Sequence, residues 1–179
     1  VRAGLQAAEP LDADTLKCAD ISVKFSSKNI SVEKLRELLA EKEAIVYAEG
    51  ASDEDSKLRL AMVGITSLRQ LISRLESGED LSSQDAELQG IRLGPIAFLG
   101  APFEIMQAIK NDVVSMAKAP VPLVVGLTNG FMGYAPDKNV AARGGYAADM
   151  VPLICGRMPY QSIHSELVAA FLRIDGELN

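Results

Sequence analysis

The hydrophobic pattern of this chain keeps switching between a period of two residues and one near 3.6, and that alternation limits it to folds that layer helices on a sheet. Cys18 to Ser26 sets the first period: Ile21, Val23 and Phe25 fall on one face, Asp20, Ser22, Lys24 and Ser26 on the other. Ser31 then stands where a helix N-cap belongs, with Val32, Leu35, Leu38 and Leu39 at helical steps behind it. Asp53, Glu54 and Asp55 head a longer run through Leu58, Met62, Ile65, Leu68, Ile72 and Leu75, which predicts a helix from Asp53 to Glu76 with its exit over 77–83. Ala86–Leu93 and Ile96–Leu99 flank Gly94-Pro95, the pattern of an antiparallel hairpin. A helix over Phe103–Ala117 follows and puts Glu104 in its first turn; Leu123–Leu127 reads as a central strand, and a last helix runs from Ser162 to Ile174. Upstream of all these, Leu5 to Pro10 reads as the tail of a helix. From Thr128 to Pro159 five glycines and three prolines break any period, and long irregular stretches inside compact domains tend to carry function. The expectation is one α/β domain over 1–179, a mixed β-sheet flanked by helices.

Composition narrows the function classes. At 179 residues the chain is one domain's worth, and 48% hydrophobic side chains with a mean hydropathy of +0.12 supply a core that a disordered chain lacks. The balance of 24 acidic to 18 basic residues gives a charge of −6, and with no basic block and no Trp nucleic acid is excluded as the main partner. The longest apolar run, Val121 to Leu127, is far short of the ~20 residues of a membrane span, so no transmembrane segment is expected. Cys18 and Cys155 are too few for a disulfide framework and read as buried thiols. The chain opens at Val1 without a basic-then-apolar leader, as if a targeting segment were absent or already removed, and the Asn29-Ile30-Ser31 triplet leaves the compartment open.

The common catalytic signatures are missing. Gly94 to Gly100 does not make the dinucleotide loop, and neither a Walker lysine motif nor a nucleophile elbow occurs. The single histidine, His164, opens a helix and is expected to cap it or to sit on the surface. Two segments remain, each a strand running into a loop. Leu93 to Glu104 ends in Gly-Ala-Pro-Phe-Glu, where the carboxylate either complements a helix dipole or serves a site. Leu127 to Asp137 carries Tyr134, either a packed loop tyrosine or a functional phenol.

Taken together, in order and spacing, these segments resemble the neutral/alkaline ceramidase family, non-lysosomal hydrolases of the amide bond in N-acyl sphingoid bases. The resemblance rests on Leu93-Gly94, Pro102-Phe103-Glu104, the run Val124 to Tyr134 with its Asn129-x-x-x-x-Tyr134, and Gly144-Gly145-Tyr146. It implies one zinc ion bound by two histidines, a glutamate and a tyrosine, the last two being Glu104 and Tyr134. Zinc takes such ligands and lowers the pKa of a bound water toward neutrality, and Tyr134 would also stabilise charge growing on the amide oxygen as a catalytic residue. The family's histidines lie upstream, and this chain has none before His164. The resemblance therefore implies the C-terminal portion of a larger catalytic domain, partnered by an N-terminal portion of the same protein that carries the histidines. It also implies a ceramide-like lipid amide as substrate, a place in sphingolipid metabolism and an extracytoplasmic setting. The family's serine-containing Gly-Asp motif is absent, Phe103 fills a position usually small, and Ala147 follows Tyr146 where the family has an acidic residue. A hydrolase of another acyl amide, a non-catalytic interaction domain of the same lineage and a metal-free small-molecule binding domain stand as alternatives.

Overall fold

A computed structural model describes residues 2–52 and 54–179; Val1, and Asp53 as the expected start of the long helix, lie outside the described residues. After a short helix α1 (Arg2–Gln6), strand β1 (Leu16–Ser26) pairs antiparallel along its whole length with β2 (Ser83–Leu93), from Leu16 opposite Leu93 to Ser26 opposite Ser83. The predicted Gly94-Pro95 turn folds β2 onto β3 (Ile96–Gly100), again antiparallel, and β3 pairs in parallel with β5 (Val121–Val125). The sheet is thus mixed, ordered β1-β2-β3-β5, with helix α4 (Gln107–Met116) in the crossover that a parallel pair requires. Helices and a mixed sheet make this an α/β fold, as the periodicity predicts.

Strand β5 is not central. It lies at one edge of the sheet, and its residues alternate between half-buried and exposed because only one face of the sheet is covered. That covered face holds Ile21, Phe25, Leu88, Ala97 and Leu99, against which α7 (Ile163–Leu178) lays Leu167, Phe171, Ile174 and Leu178. The three- and four-residue spacing of these positions puts them on one stripe of the helix. The helix comes close over Gly90, where a β-carbon would run into the Ile174 side chain and come within 2.8 Å of Leu178 Cδ1. Gly90→Val is therefore expected to lower unfolding free energy by about 1–3 kcal/mol, the usual cost of overpacking, as a reduced midpoint in urea; an unchanged midpoint would mean that α7 does not pack there.

Helices α2 (Val32–Val46) and α3 (Ser56–Glu76) begin where their caps dictate. Ser31 accepts a hydrogen bond from Lys34 N–H, and Asp55 accepts one from Lys57 N–H. They pack together over a second apolar cluster of Leu35, Leu68, Leu71, Ile72 and Met158. Met62, read from the sequence as part of the apolar stripe, is exposed; the buried positions at that level are Ala61 and Ile65.

Several expectations need correction. The helix foreseen from Phe103 starts only at Gln107, with Met106 as its N-cap, so Glu104 occupies no first turn. It lies instead in a two-residue strand β4 (Glu104–Ile105), parallel to β6 (Tyr134–Ala135). Two forces hold Phe103–Met106 extended: the N–H groups of Glu104 and Met106 donate to Gly133 and Ala135 carbonyls at 2.9 and 3.3 Å, and the Phe103 ring is drawn into the core against Phe25 and Tyr160. The aperiodic stretch beyond Thr128 holds β6, α5 (Lys138–Arg143), a π-helix (Tyr146–Met150) and α6 (Val151–Ile154), all too short to show a period. Both cysteines are free and exposed rather than buried, Cys18 because it points to the uncovered face of the sheet.

His164 is not a surface residue either. It is 7% exposed, its Nε2 lies 2.8 Å from Asp112 Oδ2, and its Nδ1 accepts a hydrogen bond from Lys138 N–H at 3.2 Å. An acceptor at Nδ1 leaves Nε2 to carry the proton toward the carboxylate. The imidazole thus caps α5 from α7 and ties both to α4. Among the described residues no helix is long and apolar enough to cross a membrane.

Candidate functional site

The residues singled out for chemistry meet at the small parallel pair. Glu104 stands opposite Tyr134 in register, in the half-buried setting of a site wall, and Tyr146 packs edge-on to the Tyr134 ring with centroids 6.2 Å apart. Alternation along the extended backbone separates the roles of neighbours: Phe103 turns inward and is wholly buried while Glu104 turns out.

The backbone around Glu104 is held from both sides. On one side, Leu127 N–H donates to Phe103 O at 3.0 Å and Thr128 N–H to Ala101 O at 3.1 Å; on the other, Met132 N–H donates to Pro102 O at 2.7 Å. This closeness demands glycine at 126, where a β-carbon would fall 2.6 Å from Phe103 O. The turn out of β5 also forces two non-glycine residues into the left-handed region, Leu127 at φ 58° and Asn129 at φ 56°. Asparagine tolerates that conformation, whereas for leucine it costs of order 1–3 kcal/mol, and such strain collects at functional sites. Glu104, Gln107, Lys110, Gly126 and Leu127 border an open cavity of about 440 Å³. Tyr134 is not among its lining residues, so of the pair only Glu104 borders that cavity.

Electrostatically the two groups act on each other. The Glu104 carboxylate, by hydrogen bonding first and charge second, holds the Tyr134 phenol above its ordinary pKa, with smaller contributions from burial and Tyr146. The sign follows from chemistry, because a neutral phenol can donate to a carboxylate and a phenolate can only repel it. Tyrosinate absorbance, taken as the difference between the parent chain and Tyr134→Phe, is expected to appear above the usual tyrosine range, and Glu104→Gln should move that midpoint down. No movement on that substitution would mean the two side chains do not interact.

As a donor set the pair fits half of a zinc site. A carboxylate and a phenol on paired residues are acceptable ligand types, and a dication between them would reverse the sign of their interaction and favour the ionised phenol. Among the described residues no group of three or more His, Cys, Asp and Glu is placed to hold an ion, and His164 is committed to Asp112 and Lys138. Periodicity missed the short β4–β6 pairing, the left-handed loop and the contact of Tyr146 with Tyr134. The Asn129-Gly130 pair, both residues types that tolerate positive φ, was the one local signal of that loop. Comparison of the chain with protein-family models, with curated proteins and with solved structures finds no match to any of them.

Proposed function

We propose that the chain is the C-terminal part of a ceramidase-like, zinc-dependent hydrolase of N-acyl amides, cleaving a ceramide-like lipid to fatty acid and amine. The observation that carries this reading is the register of Glu104 against Tyr134, which joins at one point the two residues that the family resemblance names from segments thirty residues apart. Glu104 would hold the ion with its carboxylate, and Tyr134 would hold it with its phenol oxygen and donate toward the amide oxygen as charge grows there. The metal, when bound, supplies Lewis acidity and lowers the pKa of water. Gly126 and the strained turn at Leu127 keep β4 in place, so neither side chain needs to reorganise during reaction.

Two histidines would come from an upstream portion of the same protein. The uncovered face of the sheet gives that portion somewhere to sit: Ile91, Leu93, Phe98, Val121, Leu123 and Val125 are all exposed on it, and the series continues through Leu127 to the Glu104 cavity. Exposed apolar patches of such extent mark interaction surfaces. The same face favours the second reading, a non-catalytic interaction domain of this lineage. Zinc titration by calorimetry of the protein containing both portions separates them. Tight binding that Glu104→Gln and Tyr134→Phe each weaken supports the hydrolase; binding absent, or indifferent to both, supports the interaction domain.

A further inference from the structure

A second cavity, of about 280 Å³, opens between α2, α3 and the segment from the π-helix to α6, and it shares no lining residue with the cavity at Glu104. Its walls are apolar: Leu38, Leu60, Leu68, Met150, Leu153 and Ile154. Gly64 leaves its part of the wall without a side chain, and the Lys42 stem lies across it, with Cγ, Cδ and Cε 3.8–3.9 Å from where a β-carbon would stand.

The mouth has a different character. Lys34 and Lys42 both border it. Lys42 enters none of the ion pairs among the described residues, and Lys34 has only an exposed pair with Glu37 at 2.7 Å, of the kind that contributes little and can be exchanged. Asp149, the one carboxylate at the rim, is already bound to Lys28 Nζ at 2.8 Å and to Gly145 N–H at 2.8 Å. Although burial pushes that carboxyl up, these two partners outweigh it and keep it below the usual carboxylate range, hence ionised and neutralised by Lys28. The rim therefore presents two ammonium groups above an apolar hole, Lys42 outside any ion pair among the described residues and Lys34 in an exposed, exchangeable one.

We propose that this cavity binds a medium-chain acyl carboxylate, its tail among the leucines and its head group between Lys34 and Lys42. At ~30 Å³ per methylene, about what a water molecule occupies in the liquid, the volume takes roughly nine carbons. A purely apolar ligand would leave the lysines unused, and a cationic amphiphile would meet them head-on. The inference does not rest on the reading of Glu104 and Tyr134, since neither lines the cavity.

The test is a methyl-resolved NMR titration of the chain with decanoate, decanol and decyltrimethylammonium. Decanoate is expected to bind saturably and tightest, with shifts concentrated on the methyls of Leu38, Leu60, Leu68 and Leu153. Lys34→Glu with Lys42→Glu should weaken decanoate about tenfold and raise the affinity of the ammonium compound, because reversing both charges inverts the rim. Gly64→Leu should fill the hole and remove saturable binding; if that variant fails to fold, Leu153→Phe serves as a second plug. Equal binding of the three compounds, insensitivity to the lysine reversals, or shifts centred instead on Phe98, Val121 and Leu123 of the open sheet would each overturn the proposal. So would displacement of decanoate by nothing but an amphipathic helical peptide binding far more tightly at the same methyls, which would make the cavity a docking slot for protein.

Discussion

Phe103→Ala is expected to cost about 3–5 kcal/mol of unfolding free energy, a large fraction of what holds a domain of this size together. Phe103 is wholly buried and stands edge-on to two other rings, Phe25 at 5.3 Å and Tyr160 at 5.7 Å, which themselves meet at 6.4 Å. Truncation removes the transfer energy of the ring, leaves a cavity and deletes two aromatic contacts of ~0.5–1.5 kcal/mol each. Collapse cannot refill the space easily, because the rings come from β1, the entry to β4 and the segment before α7, each fixed by its own backbone bonds. Tyr160 is constrained further: its hydroxyl donates to Met132 O at 3.3 Å, and burial pushes its pKa up to about 12, so it stays neutral within the cluster. Urea denaturation should show a much lower midpoint with an unchanged slope for Phe103→Ala and a smaller loss for Phe103→Leu. A loss below about 1 kcal/mol for the alanine variant would show that the ring is not a core member. The large side chain at this position thus has a structural reason that is separate from the chemistry of its neighbour Glu104.

What could be read from the sequence was what local periodicity encodes. The alternation in β1, the Gly94-Pro95 hairpin, the cap at Ser31 and the helical spacing of α3 all act within a few residues of chain, and the structure has each of them, although α3 starts at Ser56 with Asp55 as its cap rather than within the acidic run. Position in the sheet is a property of neighbours, so the apolar run Leu123 to Leu127 reads as central although the strand it belongs to, Val121–Val125, is an edge with one open face. The same is true of buried polar groups. Asp175 is 1% exposed because its carboxylate accepts hydrogen bonds from Lys118 and Ala119 N–H across the α4–β5 turn, fifty-odd residues away in sequence, and nothing near Asp175 announces that partner. His164 is a similar case, with both ring nitrogens committed to residues from other helices. At the candidate site, the identities of Glu104 and Tyr134 came from a family pattern, whereas their register came from pairing between two-residue strands that no window can detect.

On the proposed hydrolase reading, in a protein that also carries the upstream histidines, Glu104→Gln and Tyr134→Phe are each expected to lower fatty-acid release from N-acyl amides by about 10²–10³-fold, but for different reasons. Glu104→Gln preserves volume and removes the charge that would hold the ion, so zinc affinity and turnover should fall together, and added zinc should restore part of the rate. Tyr134→Phe removes the oxygen that, on this reading, would be both ligand and donor to the developing oxyanion, so added zinc should recover binding without recovering turnover. That split is what separates a metal-holding role from a catalytic one, since a residue that merely shapes the pocket would show neither pattern. His164→Ala provides the contrast. Its imidazole joins α4, α5 and α7 and makes its side-chain bonds to neither Glu104 nor Tyr134, and its removal leaves Lys138 N–H and Asp112 without their partner. The variant should unfold more easily, by about 1–3 kcal/mol, while the folded fraction turns over substrate at nearly the parent rate. Abolished turnover in a fully folded His164→Ala protein would replace the metal-site reading with a histidine-based mechanism. A parent protein that cleaves no N-acyl amide would leave the exposed sheet face, and with it an interaction domain, as the reading with the stronger physical support.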